Sequence, residues 1–145
     1  MKLSQTIGLT THLIGLLAGA IARQVSSKQY AIFFYEHKAA FADRTNANAK
    51  QYWDNWTSYI GGIQQSGKLD SGSALLPPEI GTKLTKSGEA KLDSSKLNLS
   101  GFLVIHEETY AAALKLAKAS PAIAEGGAVE VREVLPMGQH NAGAR

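Results

Sequence analysis

Apolar and polar positions divide the chain into alternating strand-like and helix-like stretches. Residues 29–36, QYAIFFYE, crowd aromatic and β-branched side chains into a short run, which predicts a strand. Residues 37–44 read as a polar loop. Beyond it, Trp53, Trp56, Ile60 and Ile63 recur at i, i+3, i+7 and i+10, the spacing of one helical face. Thr45 or Asn46 is placed to cap that helix by accepting a bond from an orphan N–H. Gly61 and Gly62 lie inside it, each costing up to about 1 kcal/mol against Ala. Close packing on a sheet, where a side chain would not fit, is the expected reason for them. Gly67 stands where a helix C-terminus wants a left-handed residue.

KLDSGSALL then begins a strand that Pro77 and Pro78 end. Residues 79–99 carry a weaker signal, a short hairpin of IGTKLT and AKLDSS around Ser87-Gly88. GFLVIH, residues 101–106, is a continuous apolar strand. EETYAAALKLAKAS is a second helix, with Tyr110, Leu114 and Ala117 on one face and acids at its start, where the helix dipole favours them. Pro121 and Gly126-Gly127 mark a connection, and AVEVREV, residues 128–134, alternates strictly as the last strand.

The order β-α-β-(hairpin)-β-α-β places the chain in the α+β class. It fits a ferredoxin-like βαββαβ arrangement with an antiparallel sheet, and right-handed crossovers put both helices on one face. YAIFFY and GFLVI are nevertheless apolar on both faces, whereas a sheet covered on one side should turn polar residues to the other. The last strand does so, through Glu130 and Arg132, but the first and third do not. The expected cover is a second subunit, in a homodimer formed sheet face to sheet face, or a ligand.

Length and charge narrow the picture further. At 145 residues the chain is long enough for one domain with a real core. Cysteine is absent, which excludes disulfides and thiolate metal sites. The 15 Lys and Arg are scattered among 12 Asp and Glu, with no basic stripe, so no nucleic-acid partner is expected. Residues 1–28 read as an N-terminal extension, 29–136 as the domain and 137–145 as a flexible tail. The apolar stretch from Ile7 to Ala22 is too short and interrupted for a stable membrane span. Lys2, LIGLLAGAIA and the small residues Ala20 and Ala22 are marks of a secretory signal; the alternative is an amphipathic or buried helix. The expected compartment is the cytoplasm, or the periplasm or exterior should residues 1–22 act as a signal.

WTSYIGGIQQSGKLDSGSAL resembles the first-helix and second-strand region of YCII-related domain proteins. GFLVIHEETYAAALKLAKASPAIAEGGAVEVREV resembles their C-terminal region, through Lys118, Pro121, Gly126, Gly127 and Val129 to Arg132. The similarity covers residues 29–136. It implies a ferredoxin-like fold that dimerises as an α/β barrel, with a cleft between sheet and helices. Two features of the family are missing. The Asp-Gly-Pro-Phe motif ahead of the third strand is replaced by SGEAKLDSSKLNL. The first-helix histidine that some members are proposed to use with an aspartate is also missing; the stretch reads YWDNW, and no histidine lies between Lys38 and Phe102. That dyad does not carry over to this chain.

The candidate chemistry is therefore sparse. Asp54 on the first helix and Asp70 at the start of the second strand are the candidate acid and base, provided that they bracket one cleft. Their alternative roles are a solvated helix residue and a turn residue. Trp53 and Trp56 are candidates to line an aromatic pocket, or else to pack the core. Asn55 falls near the place of the family's helix histidine and can hydrogen-bond a ligand without acting as a base. His37 and His106 end strands, where sites often form, but in an antiparallel central pair they fall at opposite edges. His12 and His140 lie in the extension and the tail. No metal-ligand spacing is present, so no metal or other cofactor is expected. The expected function is binding of a small molecule near the first helix. The alternatives are a dehydrochlorinase- or lactone-isomerase-like enzyme using a carboxylate acid and base, and a non-catalytic interaction module.

Overall fold

A computed structural model describes residues 27–136. The signal-like stretch of residues 1–22 and the tail of 137–145 lie outside the described residues. The elements are β1 (Lys28–Glu36), α1 (Lys38–Asp43), α2 (Ala49–Gln65), β2 (Leu69–Ala74), a 3-10 turn (Pro78–Ile80), β3 (Thr82–Thr85), β4 (Gly88–Lys91), β5 (Asn98–Glu107), α3 (Tyr110–Lys118), α4 (Pro121–Ala124) and β6 (Ala128–Glu133). Four strands form one antiparallel sheet in the order β2-β5-β1-β6, and β3 pairs with β4 in a separate two-stranded sheet. This α+β architecture is compatible with a ferredoxin-like fold. No helix among the described residues is long and apolar enough to cross a membrane.

The period of two in β1 sorts its side chains. Tyr30, Ile32 and Phe34 are buried, and Ile32 sits in register between Leu103 of β5 and Val131 of β6. Trp56 and Ile63 of α2, Ala113 and Ala117 of α3 and Ala122 of α4 close over that face. Small residues on α3 and α4 let the helix backbones approach the sheet, and burying a side chain such as Ile32 contributes about 1.5–3 kcal/mol. The other face carries Ala31, Phe33 and Tyr35 of β1 and Phe102 and Val104 of β5, none of which joins the core.

Four local readings change. Residues 38–43 are a helix rather than a loop. KAAFAD is too short to display a period, but Ala40 and Phe41 are buried, and tertiary burial holds the turn in place. On α2 the apolar stripe runs through Tyr52, Trp56, Tyr59, Ile60 and Ile63, while Trp53 is 42% exposed. The turn before α2 is held by Asn46, whose side-chain oxygen accepts from the Asn48 N–H at 2.7 Å, while the N-cap, Asn48, makes no side-chain cap bond. Helix α2 ends as expected: Gly67 has φ +71°, and the N–H groups of Gly67 and Lys68 donate to the carbonyls of Gln64 and Ile63. That is the Schellman arrangement, which satisfies two otherwise orphan carbonyls.

The fourth change concerns Gly61 and Gly62. A Cβ at either position meets nothing within 4 Å, so close packing does not explain them. Their cost to the helix is not offset by a sheet contact. Gly62→Ala is therefore expected to stabilise the fold by about 1 kcal/mol. Urea unfolding should show a higher midpoint with an unchanged slope. A destabilised variant would mean that α2 packs more closely than this structure has it.

Candidate functional site

The site begins at the end of β1. Glu36 continues the inward phase of Tyr30, Ile32 and Phe34, so its carboxylate enters the core and is only 2% exposed. A bulge in the β1–β5 ladder leaves Ser100 as the extra residue, since Phe34 faces Gly101 and Tyr35 faces Leu99. The Ser100 hydroxyl donates to the Phe34 carbonyl at 3.2 Å, and its own carbonyl turns towards Arg44. Arg44, just after α1, meets both groups: Nη2 donates to Glu36 Oε2 and to the Ser100 carbonyl, each at 3.0 Å. Nη1 donates to the Leu75 carbonyl, and Nε to the Tyr52 hydroxyl at 2.9 Å. Tyr52 in turn donates to Glu36 Oε2 at 3.0 Å.

This is a buried ion pair with its donors and acceptors matched, and the Arg44 side chain is 9% exposed. Its guanidinium also lies 4.6 Å from the ring centre of Phe41 and 5.4 Å from that of Tyr52. Burial, and then the negative charge of Glu36, push the Tyr52 phenol well above its ordinary pKa, so it stays a donor.

A cavity of about 420 Å³ opens beside this network, between α1, α2 and α4. Glu36, Tyr52 and Trp56 form its inner wall. His37, Asp43, Asn48, Gln51, Asn55 and Glu125 supply the polar remainder. His37 holds α4 against β1: its Nε2–H donates to the Gly126 carbonyl at 3.0 Å. Gly127 makes that approach feasible, because a Cβ there would collide with the Tyr35 carbonyl oxygen. Asn48 and Asn46 both donate to Asp43 Oδ1 at 2.9 Å and hold its pKa below the usual carboxylate value. Gln51 donates to Asn55 Oδ1 at 2.8 Å across one turn of α2. The indole N–H of Trp56 is buried and has no acceptor among the described residues.

Three of the residues singled out from the sequence thus face one cavity: His37, Asn55 and Trp56. Trp53 does not. It borders a much smaller space of about 40 Å³ on the other side of Tyr52 and Trp56, and its indole N–H donates to the Arg44 carbonyl at 3.0 Å. Asp54 pairs with Lys50 on the solvent side of α2. Asp70 is the extra residue of a bulge between Leu69 and Ser71, which brings it 3.4 Å from His106 Nε2 across the β2–β5 pair. Asp54 and Asp70 border no cavity in common among the described residues. His106 lies opposite Gln29, at the far end of β1 from His37. Among the described residues no group of three or more His, Asp or Glu is gathered that could hold a metal ion.

Sequence reasoning passed over Glu36, Arg44 and Ser100. One signal was legible: Glu36 is a charge in the buried phase of a strand, and such a charge demands a partner. No local pattern identifies Arg44 as that partner, because the contact depends on the turn after α1 and on the β5 bulge.

A third, apolar groove of about 570 Å³ runs beside Tyr35 at the end of the outer sheet face. Leu76 and Ile80 on its rim are 73% and 69% exposed. No protein-family model and no curated protein matches the chain.

Proposed function

We propose that the protein is a YCII-like homodimer that binds a small molecule in the cleft between α1, α2 and α4. The observation that carries the ligand reading is the 420 Å³ cavity, a volume within the range of small-molecule sites. Its rigid inner wall of Glu36, Tyr52 and Trp56 faces the adaptable amides of Asn48, Gln51 and Asn55. The acid–base alternative has its closest counterpart in Asp70 and His106, but that pair borders none of the described cavities, so binding is the better-supported reading.

The dimer rests on the outer sheet face. Phe33, Phe102 and Val104 lie there with no helix among the described residues over them, continuous at one end with the apolar groove beside Tyr35. Joining two such faces removes both from water, at roughly 25 cal/mol per Å² of apolar surface. The resemblance to YCII-related domains supports the same mode, an α/β barrel of two ferredoxin-like sheets. Native mass spectrometry of untagged protein should give a dimer, and Phe33→Glu, which places a charge at the centre of the face, should give a monomer. A wild-type monomer overturns the dimer. The ligand cleft falls if a broad fragment screen by NMR shifts no signal of Asn55 or Trp56.

A further inference from the structure

We infer that the segment between β2 and β5, residues 75–97, is both arm and socket for a second copy of this chain. Leu84 on the β3–β4 hairpin of one protomer seats in the partner's apolar groove beside Tyr35, and two-fold symmetry repeats the contact in reverse. The inference rests on the dimer reading given above. Its basis is area. The sheet is four strands wide at about 4.8 Å each and about 20 Å long, so its outer face covers roughly 400 Å². The flanks of that face are polar. Register puts Ser71 and Ser73 at one edge, opposite Val104 and Phe102, and Glu130 and Arg132 at the other, opposite Phe33 and Ala31. A stable dimer buries about 800 Å² on each partner, so the sheet face alone supplies about half of what is needed. The apolar surface continuous with it is the groove and its rim.

Groove and hairpin are each unfinished within one copy. Among the described residues no charged side chain lines the groove. Tyr35 and Asn98 are its only polar side chains there, and their donors are spent on Glu130 and on the carbonyls of Asp93 and Lys96. A polar small molecule finds no free donor to orient it, whereas an aliphatic side chain fits. The hairpin carries one. Among the described residues β3 and β4 pair only with each other, every residue of both is exposed, and Leu84 is 73% exposed. A two-stranded hairpin is marginal in water unless something packs on it. Its own groove does not serve. The hairpin leaves the body at Gly81 and Leu92, which themselves line the groove, and a Cβ on Gly81 would collide with the Leu92 side chain. The arm is rooted in the socket wall, and Leu84 lies outside the lining, so the socket it fills belongs to another copy.

The chain has no cysteine, so an introduced disulfide can report the contact. Leu84→Cys and Leu76→Cys replace exposed side chains on the arm and on the rim. Under mild oxidation of the full chain the double variant should give a covalent dimer on a non-reducing gel, and neither single variant should. Leu84→Asp should raise the dimer's dissociation constant about a hundredfold, because symmetry counts each lost leucine burial twice. In the monomer made by Phe33→Glu, the same substitution should leave Tm unchanged, which separates a lost contact between copies from a damaged fold. A lowered Tm there means that Leu84 packs within its own chain and overturns the inference. A dimer that ignores Leu84→Asp, that fails to cross-link in the double variant, or that cross-links through Leu84→Cys alone also overturns it and leaves the dimer reading standing. If the wild-type chain is a monomer, both readings fall.

Discussion

Replacing Arg44 by methionine is expected to destabilise the protein by about 3–5 kcal/mol, the usual cost of removing one partner from a buried ion pair. The carboxylate it abandons is 2% exposed and would keep a single strong donor, the Tyr52 hydroxyl. The carbonyls of Leu75 and Ser100 would lose the guanidinium at the same time. Arg44→Lys should recover little, because an ammonium cannot reproduce a planar fork that reaches Glu36, Tyr52 and two carbonyls at once. The double variant Glu36→Leu, Arg44→Met should regain a large part of the loss, since the charge left unpaired in the single variant is gone. For a domain of this size the single variant should lower Tm on the order of 15–25 °C. Thermal and urea unfolding measure both quantities. A loss below about 1 kcal/mol would resemble an exposed pair and show that the network is open to solvent.

Trp56→Ala carries the second large effect, again about 3–5 kcal/mol, from lost burial and the cavity left behind. Trp56 packs edge-on to Phe34 at 4.9 Å and to Tyr59 at 6.0 Å between ring centres, and such pairs add to the area term. It also borders both the large cleft and the small space behind it, so truncation would join the two. Trp56→Phe should cost distinctly less. It keeps an aromatic ring against Phe34 and removes the N–H that has no acceptor among the described residues. Denaturant unfolding of the two variants side by side checks the order. If Phe were as damaging as Ala, the indole N–H would have a partner.

The fold was largely legible because its signals are local. The crowding of aromatic and β-branched residues in QYAIFFYE, the alternation in AVEVREV, the apolar run GFLVIH and the stop at Gly67 each act within a few residues. Even the weak hairpin around Ser87-Gly88 appears, as β3 and β4. The misreadings share a cause. Helix α1 is too short to show a period, and the spacing that puts Trp53 on the apolar face of α2 does not register that Tyr52 beside it has the inward phase. The hydroxyl of Tyr52 is accommodated there by Glu36 and Arg44, a pairing that no local pattern displays. The candidate site was legible to a lesser degree: His37, Asn55 and Trp56 face the cleft, while Asp54, Trp53 and the Asp70–His106 pair lie elsewhere.

What the sequence determined by itself was the order of strands and helices, their stop signals, and the surplus of apolar residues on the outer sheet face. These follow from side-chain period and backbone chemistry, which are properties of neighbours. Tertiary structure alone decided that Glu36 meets Arg44, that a bulge at Ser100 turns a carbonyl towards the same guanidinium, and that Asp70 reaches His106. Those contacts join residues separated by as many as 56 positions, Arg44 to Ser100, and their geometry comes from strand register and bulges. Register is a collective property of the packed sheet, so no single stretch of the chain encodes it.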